Sequence, residues 1–224
     1  MLFSRKSGII MILFTLSVLL AGCTAGQSVE EKMYEHLEQA VTLEQGFADV
    51  QQPLVEAEEK EQKLFSEIMT LSMKEFEQIK KMADEASGLA ETRQELLQKE
   101  KESIDTAYEE FKSIEEMVDQ LEEENLKSIA KELTQKMKDR HESYNKLNEA
   151  YSKALKMDLE LYAMLKKEDL SLDELKAFTE ELNLQYDEVL KSQNEFNALT
   201  DEYNEKKQTF YQEAGFTTEK PDAA

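Results

Sequence analysis

The sequence predicts an all-α fold, an up-and-down antiparallel bundle of long helices, with four favoured over three. Three observations predict it. Only six glycines and two prolines occur in 224 residues, while Glu, Lys, Leu, Gln, Ala and Met dominate, the composition of long helices and not of sheets or mobile loops. Apolar side chains recur in steps of three and four, the period of bundle packing. Segment starts near 29, 72, 125 and 171 divide the chain into pieces of roughly 42 to 53 residues, about 60 to 80 Å each at 1.5 Å per residue. Similar lengths joined by short connections make neighbours antiparallel. A long coiled-coil dimer and a three-helix bundle are the competing arrangements.

Residues 1–22 stand apart from this pattern. Arg5 and Lys6 form a positive n-region and Gly8 to Leu20 an apolar run too short to span a bilayer as a permanent helix, so the segment reads as a signal peptide that is removed. Ala21 and Gly22 lead directly into Cys23, the only cysteine of the chain. Leu20-Ala21-Gly22-Cys23 resembles the lipobox of bacterial lipoproteins. That resemblance implies thioether-linked diacylglycerol on Cys23, cleavage before it, and a protein held at the extracytoplasmic face of the cell membrane by its lipid. Residues 23–28 are then the lipidated cysteine and a short polar tether.

The bundle domain is expected over 29–214. Met33, Leu37, Ala40, Phe47, Leu54, Phe65 and Ile68 form the stripe of a first amphipathic helix, which Pro53 is expected to kink or divide near Gln51, a kink being favoured because the stripe resumes in register. Ser72 with Glu75 reads as a capping box that opens a second helix. Its seam from Phe76 to Leu121 is the clearest signal in the chain, apolar throughout except at Arg93 and Glu100. Gly88 lies off it. After the acidic run Glu122 to Glu124, Asn125 is the expected cap of a third helix, whose seam runs from Leu126 to Leu165 and is broken by Arg140 and Asp158. Ser171 with Glu174 repeats the capping box, and the fourth helix carries Leu175, Leu182, Tyr186, Val189, Phe196, Tyr203 and Phe210 before Gly215 stops it. Residues 215–224 read as a flexible tail.

Composition also excludes functions. Removal of residues 1–22 takes Arg5 and Lys6 and no acidic residue, leaving 25 basic against 49 acidic side chains, a net charge of −24. Such a surface repels nucleic acid, anionic headgroups and wall phosphates alike; cationic peptides, divalent ions or a basic protein suit it better. One cysteine allows no disulfide framework. No glycine-rich phosphate loop, nucleophile elbow or Glu-x-x-His pair is present. The histidines, His36 and His141, are remote from each other and read as exposed helical surface. No catalytic residue, metal or cofactor is expected, and the chain does not read as an enzyme.

Charges on a seam are costly unless paired. With a turn near residue 123, position i faces roughly 246 − i in an antiparallel pair, which puts Arg93 near Ala154 and within one turn of Asp158. Arg93 and Asp158 are therefore expected to meet in a buried polar layer, either as a register lock or as a ligand site. A second candidate lies on the fourth helix, where Asn197, Asn204 and Tyr211 follow one residue behind Phe196, Tyr203 and Phe210. Amides beside aromatics can bond and stack on a sugar or peptide. In a four-helix arrangement this partner-binding stripe returns to the end that carries Cys23.

The last helix, with Phe196-Asn197, Thr200, Tyr203-Asn204, Lys207 and Phe210-Tyr211, together with Gln52-Pro53-Leu54, Glu58 and the stretch Arg140 to Tyr144, resembles the YkyA-like family of cell-wall-binding lipoproteins of Gram-positive bacteria. The likeness covers nearly the whole chain after Cys23. It implies a helical bundle displayed outside the membrane, non-enzymatic, acting as a binding or scaffolding module for a cell-wall polymer or an envelope protein. A structural spacer or regulatory coiled-coil oligomer, acting on a membrane or secreted partner, is the competing function.

Overall fold

A computed structural model of the chain describes residues 27–216. The leader, Cys23 and residues 217–224 lie outside the described residues. The fold is an all-α bundle of long helices: α1 (Val29–Leu43), α2 (Gln45–Ile68), α3 (Phe76–Val118), α4 (Glu124–Leu165) and α5 (Leu172–Glu213), with a short 3-10 turn at Met73–Glu75 ahead of α3. No helix among the described residues is long and apolar enough to cross a membrane.

Local chemistry sets the helix ends. Ser28 caps α1 by accepting from Glu31 N at 3.1 Å, while the Glu31 carboxylate accepts from Ser28 N at 3.0 Å. Ser171 and Glu174 repeat this reciprocal pair at the start of α5, and these bonds hold the Glu174 carboxyl below its usual range. At Ser72 only half of it forms. Glu75 reaches back to Ser72 N at 3.0 Å, but the serine hydroxyl donates to the same carboxylate. Gly215, at φ 79°, ends α5; Phe216 N then donates to Tyr211 O and Gly215 N to Gln212 O, the paired bonds of a Schellman stop.

Three boundaries differ from the sequence expectation. The first long segment is interrupted at Glu44, while at Pro53 it is not divided: the proline lies inside a continuous α2. Pro53 and Asp49 are both exposed, so the proline's missing N–H falls on the solvent side of the helix. At Glu44 the side chain turns inward to meet Arg140, and Leu43 O accepts from Ser103 Oγ at 2.6 Å. Asn125 does not cap α4, because the helix starts one residue earlier; its amide donates to Glu213 at 3.2 Å. Phe216 does not fray. Its ring lies 4.6 Å from Tyr34, so the ordered domain runs past residue 214.

The chain forms two compact units, and α3, α4 and α5 each contribute to both. Unit 1, residues 46–102 and 144–194, contains four helical segments. Its core includes Phe47, Leu54, Phe65, Leu97, Leu147 and Leu182, all buried. Unit 2, taken from residues 27–45, 103–143 and 195–216, also contains four. Its core joins Met33 and Leu37 to Phe111, Ile114, Leu133 and Phe210. Every position of the α3 seam from Ile79 to Leu121 is buried, Arg93 and Glu100 included. The heptad pattern therefore reports one continuous inward face, on which most side chains contribute about 1.5–3 kcal/mol of hydrophobic burial and a few are charged.

Candidate functional site

Charged side chains on an inward face must find partners, because desolvating an unpaired charge costs several kcal/mol. In unit 1 the charge is Arg93 of α3, only 1% exposed. Its Nη1 donates to Glu61 of α2 at 2.6 Å and lies 3.4 Å from Asp158 of α4. Nη2 donates to the hydroxyls of Tyr151 on α4 at 3.1 Å and Tyr186 on α5 at 3.0 Å. The guanidinium also sits over both rings, 5.3 and 5.9 Å from their centroids. The structure thus brings Arg93 and Asp158 together, with groups from all four helices of the unit around them.

The layer is not charge-balanced. Glu61 and Asp158 are each 4% exposed, so two buried carboxylates face one cation, and Glu58 stands 3.9 Å from Nη2 with its side chain partly in solvent. Burial, reinforced by Glu61, pushes the Asp158 carboxyl up to about 7, although Arg93 pulls it the other way. Burial likewise raises the Tyr151 hydroxyl to about 12 and the Tyr162 hydroxyl beyond its ordinary range. A cavity of about 60 Å³ opens here, bounded by Arg93, Asp158, Glu61, Tyr162, Tyr186 and the partly exposed Glu58, with apolar walls at Phe65, Leu161 and Leu182.

A third seam charge in the same unit, Glu100, has no cation among the described residues within ion-pair distance. It accepts from the Gln51 amide at 2.7 Å, and burial pushes its carboxyl up to about 7.

Unit 2 solves the same problem differently. Arg140, 2% exposed, forms two parallel bonds to Glu44, at 2.6 and 2.9 Å, and its Nε donates to Thr200 at 3.0 Å. Phe196 and Tyr203 flank the guanidinium at 5.1 and 5.7 Å. Lys207, also buried, stands over the Tyr203 and Tyr211 rings, and burial lowers its ammonium pKa against the pull of Glu38 and Glu44.

The expected α5 stripe does not form one surface. Asn197 is half-buried and Asn204 exposed, whereas Tyr211 is 4% exposed and donates its hydroxyl to Glu38 at 2.7 Å. Tyr211 belongs to the core because the Schellman stop folds Phe216 against it and Tyr34 packs on its ring at 4.9 Å. The histidines are not plain surface either. His36 meets Glu110 at 2.6 Å, and His141 meets Asp105 at 3.0 Å while stacking on Tyr108. Among the described residues, no group of three His, Cys, Asp or Glu is placed to hold a metal.

Glu44 and Glu61 were the carboxylates that sequence reasoning missed. The signal was present: steps of three and four from Ala40 to Phe47 and from Ala57 to Phe65 pass through positions 44 and 61. Both are interior positions occupied by glutamate.

A profile of the family YkyA, described as "Putative cell-wall binding lipoprotein", matches residues 28–213. The chain is 30% identical over 217 residues to "Uncharacterized lipoprotein YkyA" of Bacillus subtilis (strain 168), covering 96% of this chain and 97% of that one. The chain belongs to this family. A solved structure of a conserved protein of unknown function from Staphylococcus aureus superposes with a TM-score of 0.62 at 14% identity, over 83% of this chain and 97% of that one, a likeness of fold alone.

Proposed function

We propose that this member of the YkyA family is a non-enzymatic, lipid-anchored module on the extracytoplasmic face of the cell membrane, binding or scaffolding a cell-wall polymer or an envelope protein. The observation that carries the reading is the distance between two sequence features. The folded domain begins at its Ser28 cap, five residues after Cys23 of the lipobox, so a tether from Cys23 spans at most about 17 Å. A domain on so short a leash works beside the lipid. With a mature charge of −24, its grip on any anionic polymer has to come from shape and hydrogen bonding and not from net attraction.

The competing reading is a spacer or regulatory oligomer. It has less support, since among the described residues the apolar stripes of the long helices are buried within one chain. Sedimentation of the detergent-solubilised protein separates the two: the module reading requires a monomer.

Fractionation of cells expressing the full-length protein and Cys23→Ala tests the anchor. The parent is expected with membranes and the alanine variant in the medium or the wall-compartment fraction, equally resistant to protease. An alanine variant that stays with membranes overturns the reading. In situ crosslinking of the anchored form then identifies the partner.

A further inference from the structure

The cavity beside Arg93 has an unusual inventory of hydrogen-bonding groups. All four Nη hydrogens of Arg93 have acceptors: Glu61, Asp158, Tyr151 and Tyr186. Tyr162 donates its hydroxyl to Glu61 at 3.0 Å, Tyr186 donates to Asp158 Oδ2, and Thr179 donates to backbone carbonyls of its own helix. The remaining donor of Arg93, Nε, is buried without a partner. These Nη, tyrosine and threonine donors are therefore engaged, while acceptors remain. Asp158 Oδ1 receives no hydrogen bond from the described residues although the side chain lines the cavity and is 4% exposed. The partly exposed Glu58 carboxylate also lines the cavity, and the Tyr162 hydroxyl keeps lone-pair capacity.

Charge points the same way. With Glu61, Asp158 and Glu58 against Arg93 alone, the site is short of positive charge. A ligand that supplied only acceptors would meet carboxylates without donors; one that supplies several N–H donors and a positive charge meets both deficits. The volume, about 60 Å³, is several times what one water needs. Phe65, Leu161 and Leu182 offer apolar walls for a short stem.

We propose that this cavity is a binding site for a small primary ammonium, free or at the end of a short aliphatic chain, held by Asp158 and Glu58 with its stem against Phe65, Leu161 and Leu182. Binding is linked to a proton. Asp158 faces Glu58 and Glu61 from α2, Arg93 from α3 and Tyr186 from α5, with Tyr151 and Tyr162 on its own helix; burial and the two glutamates favour its protonated form. An entering cation compensates the carboxylate and expels that proton. Because the Asp158 carboxyl sits at about 7, affinity rises about tenfold from pH 6 to pH 8.

Titration calorimetry of the full-length protein in detergent, with ethylammonium as probe, tests this. Saturable binding is expected, tighter at pH 8 than at pH 6, with proton release read from buffers of different ionisation enthalpy. Asp158→Asn is expected to weaken binding at least tenfold and abolish the proton release, and Leu182→Phe, which fills the cavity without touching a charge, to abolish binding while the melting temperature holds. Potassium or tetramethylammonium binding as well as ethylammonium overturns the proposal, since neither combines N–H donors with a stem of that size. So does an unchanged affinity in both variants, or no saturable heat at pH 8.

Discussion

Arg93 and Arg140 occupy equivalent kinds of place, each on the inward face of a long helix and each almost without solvent exposure, yet their surroundings differ in one decisive respect. Arg140 meets a single carboxylate in a two-pronged pair, with Thr200 on Nε and aromatic rings on its faces. Its charge and its donors are satisfied together. Arg93 divides its donors among two carboxylates and two phenols, leaves Nε unmet and lines a cavity. A buried arginine is thus a clamp where acceptors match its fork and charge is balanced, and a potential binding site where carboxylates outnumber it. Unit 1 adds Glu100 to its surplus of buried acid, while unit 2 balances Glu44 and Glu38 against Arg140 and Lys207.

Substitutions can break or sharpen this contrast. The largest effect is expected at Arg93→Ala, which leaves Glu61 and Asp158 facing each other: a loss of about 5 kcal/mol at pH 8 in urea unfolding, at the top of the range for broken buried pairs. At pH 5 the loss shrinks, because Asp158 then carries a proton. Arg140→Ala leaves one carboxylate, and a loss of about 3 kcal/mol is expected. If both variants lost the same stability at both pH values, the asymmetry between the layers would have no energetic content.

Glu100→Gln sharpens the comparison in the opposite direction. The Glu100 carboxyl is raised in the folded state, so its contribution is fully present below the unfolded pKa of about 4.5 and is lost as pH rises through about 7. The parent should therefore lose stability between pH 4.5 and 7. The glutamine variant should lose less across that window and be more stable at pH 8 by about 1–3 kcal/mol, read from urea midpoints at fixed pH. A variant less stable at pH 8 would mean that an unseen cation pairs with Glu100.

Smaller effects belong to α5. Tyr211→Phe removes the bond to Glu38 and should cost about 1 kcal/mol. Replacing Asn197 and Asn204 together by alanine should change stability by less than about 0.5 kcal/mol, while crosslinked capture of an envelope partner falls if these amides contact it. A melt of the double variant as poor as that of Tyr211→Phe would place the two amides inside the core as well.

The sequence by itself determined which residues face inward. A step of three and four residues has one meaning on a helix, so the seams, the helix starts at Ser72 and Ser171, the stop at Gly215 and the buried charges at Arg93, Glu100, Arg140 and Asp158 could all be read without coordinates. The meeting of Arg93 with Asp158 followed from counting back from a single turn. Tertiary structure alone decided the rest. Whether an inward charge is clamped or left in surplus depends on which side chains of three other helices arrive at its level, and no periodicity within one helix contains that information. Glu44 chose Arg140, Glu61 chose Arg93, and the break in the first long segment followed the charge at Glu44 and not the proline at 53, since the proline's missing N–H falls on the solvent side whereas a buried carboxylate must reach its partner. Tyr211 looked like part of a surface stripe until the turn after Gly215 laid Phe216 against it.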